Sequence, residues 1–185
     1  RKAPDNAEYR VFLFQLLCVL VVVWVTTRFE SRLVFLAPLR PEIDTLRRIA
    51  VSVKRLAAAD VVSVVLPLQH GTELEVVTAV GAGQEDVTGV RYQPAGSLAW
   101  HAMREGRGLI VKDVDQQPEI YLHLRKAVQV TQVMAVPLMG ETGARGALIV
   151  GRIARHTAFA EADLDMAQTF AGQAAIALEL ADARA

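Results

Sequence analysis

Four histidines and one cysteine are the side chains of this 185-residue chain best suited to hold a metal or attack a substrate. His70 sits in "LQHGTE" between two apolar runs, where a turn belongs. His101 follows Trp100 in "SLAWHAMREG", His123 stands in "EIYLHLRKAV", and His156 lies in "RHTAFAE". No two have the separation of a zinc pair, and the single cysteine, Cys18, builds neither a thiolate zinc site nor an internal disulfide. Solvated or packing roles follow for His70, His101 and His156, and no metal site is expected. The usual catalytic words are missing as well. Ser97 has no Gly-x-Ser-x-Gly elbow around it, and no phosphate loop ends in Gly-Lys-Ser or Gly-Lys-Thr. "GAGQED", Gly81 to Asp86, has Gly-x-Gly after a strand but no third glycine, and it reads as a turn with no helix behind it. No catalytic residue is expected, so the chain reads as a non-enzyme.

The elements that must position these residues begin with a change of composition near residue 40. Before it, Val11 to Thr27 carries no formal charge. Seventeen helical residues span about 25 Å against a hydrocarbon core of about 30 Å, so residues 1–40 form an apolar segment at the short end for a membrane anchor. Arg10 and Arg28 bracket the run, with Tyr9, Trp24 and Phe29 near its ends as interfacial anchors. Its β-branched "VLVVVWV" suits a buried strand or core helix equally. Under the first reading the rest is a cytoplasmic domain anchored through residues 11–27. Lysine plus arginine (20) balances aspartate plus glutamate (20), which gives no field for gathering nucleic acid.

From residue 41 to 185 the pattern is that of one domain. In "PEIDTLRRIAVSVKRLAAA" the apolar residues Ile43, Leu46, Ala50, Val53 and Ala57 recur at helical spacing, and Pro41 suits the first turn. "DVVSVVLPL" and "TELEVVTAVG" predict an antiparallel hairpin, with Leu74, Val76 and Thr78 on the inner face of its second strand. A short helix in "AGSLAWHAMREG" closes at Gly106, and "GLIVKDV" is a third strand. "DQQPEIYLHLRKAVQ" is irregular or briefly helical. A second hairpin follows, Thr131 to Leu138 and Ala147 to Ile153, with Pro137 inside an apolar run. Since proline has no amide hydrogen to give a ladder, it belongs at a strand end, an edge or a bulge. The last helix puts Leu164, Ala167, Ala171, Ala174, Leu178 and Ala181 on one stripe. Hairpins dominate and the long helices sit at the two ends, so the fold class is α+β, an antiparallel sheet flanked by N- and C-terminal helices.

Three stretches in this order, "LAAADVVSVVLPL", "VMAVPLMGETGARGALIVG" and "FAEADLDMAQTFAGQAAIALELADA", resemble the GAF domain, a small-molecule sensing and dimerisation module of signalling proteins. The resemblance covers Pro41 to Ala185. Val136, Pro137 and Leu138 match the family's Val-Pro-Leu unit, and the chain returns on Gly-x-Leu. Ala160 departs from the Ser or Thr that often caps the closing helix, a loss of about 1 kcal/mol. Within the family, the last helix is similar to the second GAF domain of DevS-type actinobacterial sensor histidine kinases.

The resemblance implies a cavity between sheet and lid, with candidate lining from Val64, Leu66, Trp100 and Ile120, and from Tyr121, Leu124, Val133 and Ala135. Such apolar walls suit a small-ligand pocket and a filled core alike. His123 is the histidine near that cavity, where a neutral imidazole could ligate a haem iron. It stands further upstream of the Val-Pro unit than the proximal histidine of haem-binding relatives, so no cofactor is expected. GAF-type methionine sulfoxide reductases and bilin photoreceptors need cysteines inside the domain, and Cys18 lies outside it. The implied function is a regulatory module of a sensor histidine kinase, a homodimer through its terminal helices acting on an effector beyond Ala185. The alternatives are a small-ligand or haem receptor and a ligand-free membrane-anchored scaffold.

Overall fold

The computed structural model describes residues 41–68, 71–116, 128–153 and 157–184. The apolar run Val11 to Thr27 lies outside them. Among the described residues, no helix is long and apolar enough to cross a membrane.

The described part of the chain opens with helix α1, Pro41–Leu56, whose acidic first turn (Glu42, Asp44) and basic last turn (Lys54, Arg55) both complement the helix dipole. Leu46, Ile49, Ala50 and Val53 form its buried stripe. The helix stops in a Schellman motif: Ala58 takes a left-handed φ of 45°, and the Ala59 amide donates to the Lys54 carbonyl at 2.9 Å. Glycine usually fills that position, because a Cβ in the left-handed region costs about 1 kcal/mol.

Strands β1 (Val61–Leu68) and β2 (Glu73–Gly81) follow as the expected hairpin. Gln84–Val87 is then a one-turn helix, α2, where a plain turn was expected, and the Gln84 side chain accepts from the Gly81 amide at 3.2 Å. Next come a two-residue strand β3 (Arg91–Tyr92), helix α3 (Leu98–Glu105) and strand β4 (Leu109–Val111). Ser97 caps α3 by accepting from the Trp100 amide, and Gly106 ends it at φ 63°. After a short 3-10 turn, Val114–Gln116, the long hairpin β5 (Gln132–Gly140) and β6 (Gly143–Arg152) leads to α4, Glu161–Asp182. That hairpin runs further than expected, because its pairing continues to Gly140 and Gly143 across a two-residue turn.

The six strands make one antiparallel sheet in the order β3-β2-β1-β6-β5-β4. Both terminal helices pack on the same face, in a core that joins Leu46 and Val53 of α1 to Val62, Met134, Val136 and Leu148 of the sheet and to the alanine stripe of α4. A second core, around Leu74, Val76, Leu98 and Ala102, covers the opposite face under α2 and α3. Each fully buried leucine or valine contributes about 1.5–3 kcal/mol, so the two layers hold the sheet from both sides.

Pro137 sits where the sheet has only one neighbour to satisfy. Strand β4 pairs with β5 at Val133 to Ala135 and goes no further, and the β5–β6 register shifts between Pro137 and Met139. Pro67 obeys the same rule, since β6 pairs with β1 only as far as Val65. Gly146 marks a close approach: a Cβ there would stand 2.5 Å from the Val65 carbonyl oxygen and 2.6 Å from Leu66 Cδ2.

These features give opposite signs for alanine and glycine exchanges, measured by urea unfolding midpoints. Ala58→Gly relieves the left-handed Cβ and raises stability by about 0.5–1 kcal/mol. Gly172→Ala, in an exposed helical position with nothing within 4 Å of a new Cβ, raises it by a similar amount. Gly146→Ala forces β1 and β6 apart and lowers stability by about 2 kcal/mol or more.

Candidate functional site

The start of α4 is built around one buried cation. Arg152, the last residue of β6, is 5% exposed. Its Nε donates to the Ala57 carbonyl at 3.1 Å, Nη2 donates to the same oxygen, and Nη1 donates to the Thr157 carbonyl at 2.9 Å. Asp163 Oδ1 lies 3.4 Å from Nη2. The guanidinium carbon stands 4.0 Å from the centre of the Phe159 ring, a cation–π contact in a desolvated setting. Ala57 follows the last turn of α1, where the helix dipole is negative, and Asp163 lies in the first turn of α4, where it is positive. The charges therefore alternate from one helix end to the other, with Arg152 between them.

Neighbouring contacts fix the same corner. The Phe159 amide donates to Gln132 Oε1 at 3.1 Å, and the Ala160 amide donates to Asp163 Oδ2 at 2.9 Å. Asp163 thus restores half of a capping box that Ala160, having no side-chain acceptor, leaves incomplete. The Asp60 amide donates to the Gly151 carbonyl at 2.9 Å, and Asp60 Oδ2 accepts from the Ile153 amide at 2.8 Å.

Beside this corner an open cleft of about 610 Å³ runs along β4 to the first turn of α4. Leu98, Leu109, Phe159 and Leu164 give it apolar walls, while Arg107 and Lys112 stand with Glu161 at its polar positions. Gly108 lets the chain leading into β4 lie close to α4, since a Cβ there would fall 2.5 Å from Leu164 Cδ1. His101 lines the cleft and is exposed. Phe159 belongs to both features, since it lines the cleft and its ring supports Arg152.

The lining residues read from the sequence fall on two faces. Val64 and Leu66 join the core under α1 and α4, whereas Trp100, Val133 and Ala135 join the core on the opposite side. One cavity does not bring the two groups together. Ile120, Tyr121, Leu124 and His123 lie outside the described residues, as do His70 and His156. Among the described residues, no three His, Cys, Asp or Glu side chains are grouped to hold a metal. Ser63, inside β1 and opposite Ala79 and Ile149, has a buried hydroxyl without a hydrogen-bond partner among the described residues. Burial holds the Tyr92 phenol neutral by pushing its pKa up. Sequence reasoning passed over Arg152 and the cleft. The one available signal was an arginine ending the run "ALIVGR".

Solved structures with this fold include the second GAF domain of DevS from Mycobacterium smegmatis, at 24% identity and a TM-score of 0.62, covering 75% of this chain and 93% of that one. The GAF domain of a phosphoenolpyruvate-protein phosphotransferase from Coxiella burnetii gives 18% and 0.69, over 85% and 92% of the two chains. A free methionine-R-sulfoxide reductase from Neisseria meningitidis, solved with its substrate, gives 18% and 0.64, over 78% and 81%. At these identities the likeness carries the fold, which serves regulators and enzymes alike. No functionally curated protein matches the chain. A family model described as GAF domain matches residues 40–179. The protein therefore belongs to the GAF domain family.

Proposed function

We propose that this chain is a regulatory, sensory module of a signal-transduction protein, with a sensor histidine kinase as its host. It acts as a homodimer through α1 and α4, which pass a change of helix packing to an effector. One observation carries the reading: the two terminal helices share a sheet face, pack through an alanine stripe and leave apolar side chains outside. Val51 and Leu56 of α1 are 51% and 55% exposed, and Ile176 and Leu180 of α4 are 57% and 52% exposed. Ile176 and Leu180 are four residues apart, so they form one stripe on the outer side of α4. An unsatisfied apolar stripe on a helix is what a second helix covers.

The similarity to the DevS domain supports a sensory setting, and the similarity to a methionine-R-sulfoxide reductase raises catalysis as the rival. The chain's one cysteine, Cys18, precedes the domain, so a thiol-based reduction would have no nucleophile among residues 41–185. The cleft beside β4 favours a second reading, a receptor for a small ligand, because its lining combines apolar walls with a few charged groups.

Sedimentation of the full chain in a mild detergent, with and without Ile176→Asp and Leu180→Asp, tests the dimer. The wild type is expected to sediment as a dimer, and the double variant as a folded monomer with its dissociation constant raised at least about a hundredfold. A wild type that stays monomeric at high concentration removes the dimer from the proposal. An absorption spectrum of protein produced with haem available tests the receptor alternative, with no band in the haem region as the expected result.

A further inference from the structure

Helix α4 and the β5–β6 hairpin are matched in length and tied at both ends. Twenty-two helical residues rise about 33 Å, and the ten residues of β6 extend about the same distance. At the hairpin tip, Glu179 Oε1 accepts from the Glu141 amide at 2.8 Å, and Arg145 pairs with Asp182. Gly140 lets the turn sit so close that a Cβ there would collide with the Glu179 carboxylate. At the base, Arg152 meets Asp163 and stacks on Phe159. Helix and hairpin therefore form one unit.

Helix α1 is attached differently. Its body contributes Leu46, Ile49, Ala50 and Val53 to the shared core, and its hydroxyl side chains, Thr45 and Ser52, donate to its own backbone. Among the described residues, the polar tie from the end of α1 to α4 passes through the Ala57 carbonyl and Arg152. The adjoining corner is pinned to β6 by Asp60. The end of α1 is thus fixed, while its length rests on apolar contacts that tolerate sliding.

We propose that Arg152 is the coupling residue of the domain, a positioning residue through which the C-terminal end of α1 and the first turn of α4 respond to each other. This rests on the regulatory reading above and names the contact through which the helices communicate. The guanidinium serves both ends at once. Withdrawing Asp163 leaves Arg152 with carbonyl acceptors and the Phe159 ring, and its hold on Ala57 must readjust. Lysine cannot replace it, since one ammonium does not reach Ala57, Thr157 and Asp163 in the planar fork that these contacts require.

Amide hydrogen exchange of the full chain, read residue by residue, tests the coupling without depending on dimerisation or a ligand. Asp163 holds Arg152 and the Ala160 amide, both on the α4 side of the corner, so Asp163→Asn is the informative change. The expected result is exchange about tenfold faster at the Ala57 and Ala59 amides that close the end of α1, as well as at the first turn of α4, with the Glu141 amide unchanged. Arg152→Lys is expected to do the same to both helix ends. Glu179→Ala, which deletes the acceptor, is expected to release the Glu141 amide and the last turn of α4 while leaving the end of α1 protected. If Asp163→Asn frees α4 alone, or if all amides of the sheet accelerate together, the coupling is overturned and Arg152 is a stabilising contact only. A monomeric wild type in sedimentation would remove the dimer and leave this test intact.

Discussion

A guanidinium withdrawn from water must find negative charge inside the protein, and in this domain that requirement joins segments almost a hundred residues apart. Arg152 takes it from the Ala57 carbonyl, the Thr157 carbonyl and the Asp163 carboxylate. Such an ion is costly to bury, and apolar side chains of similar volume commonly give equal or greater stability. What the arrangement contributes is position. An apolar residue would tolerate many offsets between the end of α1 and the start of α4, whereas three acceptors around a planar fork allow one. The Gln132 and Arg152 backbones are paired in the β5–β6 ladder, and the Gln132 side chain holds the Phe159 amide, so the register of the hairpin is tied to the same corner.

The sheet follows from where backbone donors can be satisfied. Each internal proline lies beside a missing neighbour, Pro137 beyond the end of β4 and Pro67 beyond the last β1–β6 pair. The outer strands are brief, two residues in β3 and three in β4, and charged residues flank them. Arg91 pairs with Glu75 on one side, and Arg107 and Lys112 bracket the other. Short charged edges are poor templates for another chain. Association through the helices, as proposed above, would not depend on these edges.

The main elements were legible because their periodicities were long. The stripe of α1, the alternation of β2, the glycine stop of α3 and the alanine line of α4 each repeat a signal several times. Strand β3 and helix α2 are too short to repeat anything, and both were missed. The described lining residues fall on two faces for a different reason. Alternation tells which residues of one strand share a face, but it does not tell which faces of separate strands coincide. Val64 and Leu66 face the terminal helices, and Val133 and Ala135 face away. The register shift opposite Val64 and Val65 skips Val77 of β2 and reverses the alternation of that strand, so Leu74 and Val76 share a core with Ala79. Arg152 carried no periodic signal at all, since its meaning resides in partners from three separate segments.

The alanine stripe of α4 explains why polar ties are needed at both ends of the helix. Alanine allows close packing on β5 and β6, but each buried methyl adds less than about 1 kcal/mol and fits many neighbouring grooves almost equally well. A helix held by such a surface alone would have several similar resting positions along and around its axis. Asp163 with Arg152 at one end and Glu179 with the Glu141 amide at the other remove that freedom, because a displacement of one residue breaks charged contacts. The smooth middle and the fixed ends have complementary effects: the middle offers little resistance to movement, and the ends decide whether movement occurs. A signal that shifted this helix would therefore have to act on the ties, at the corner of Arg152 and Asp163 or at the hairpin tip held by Glu179.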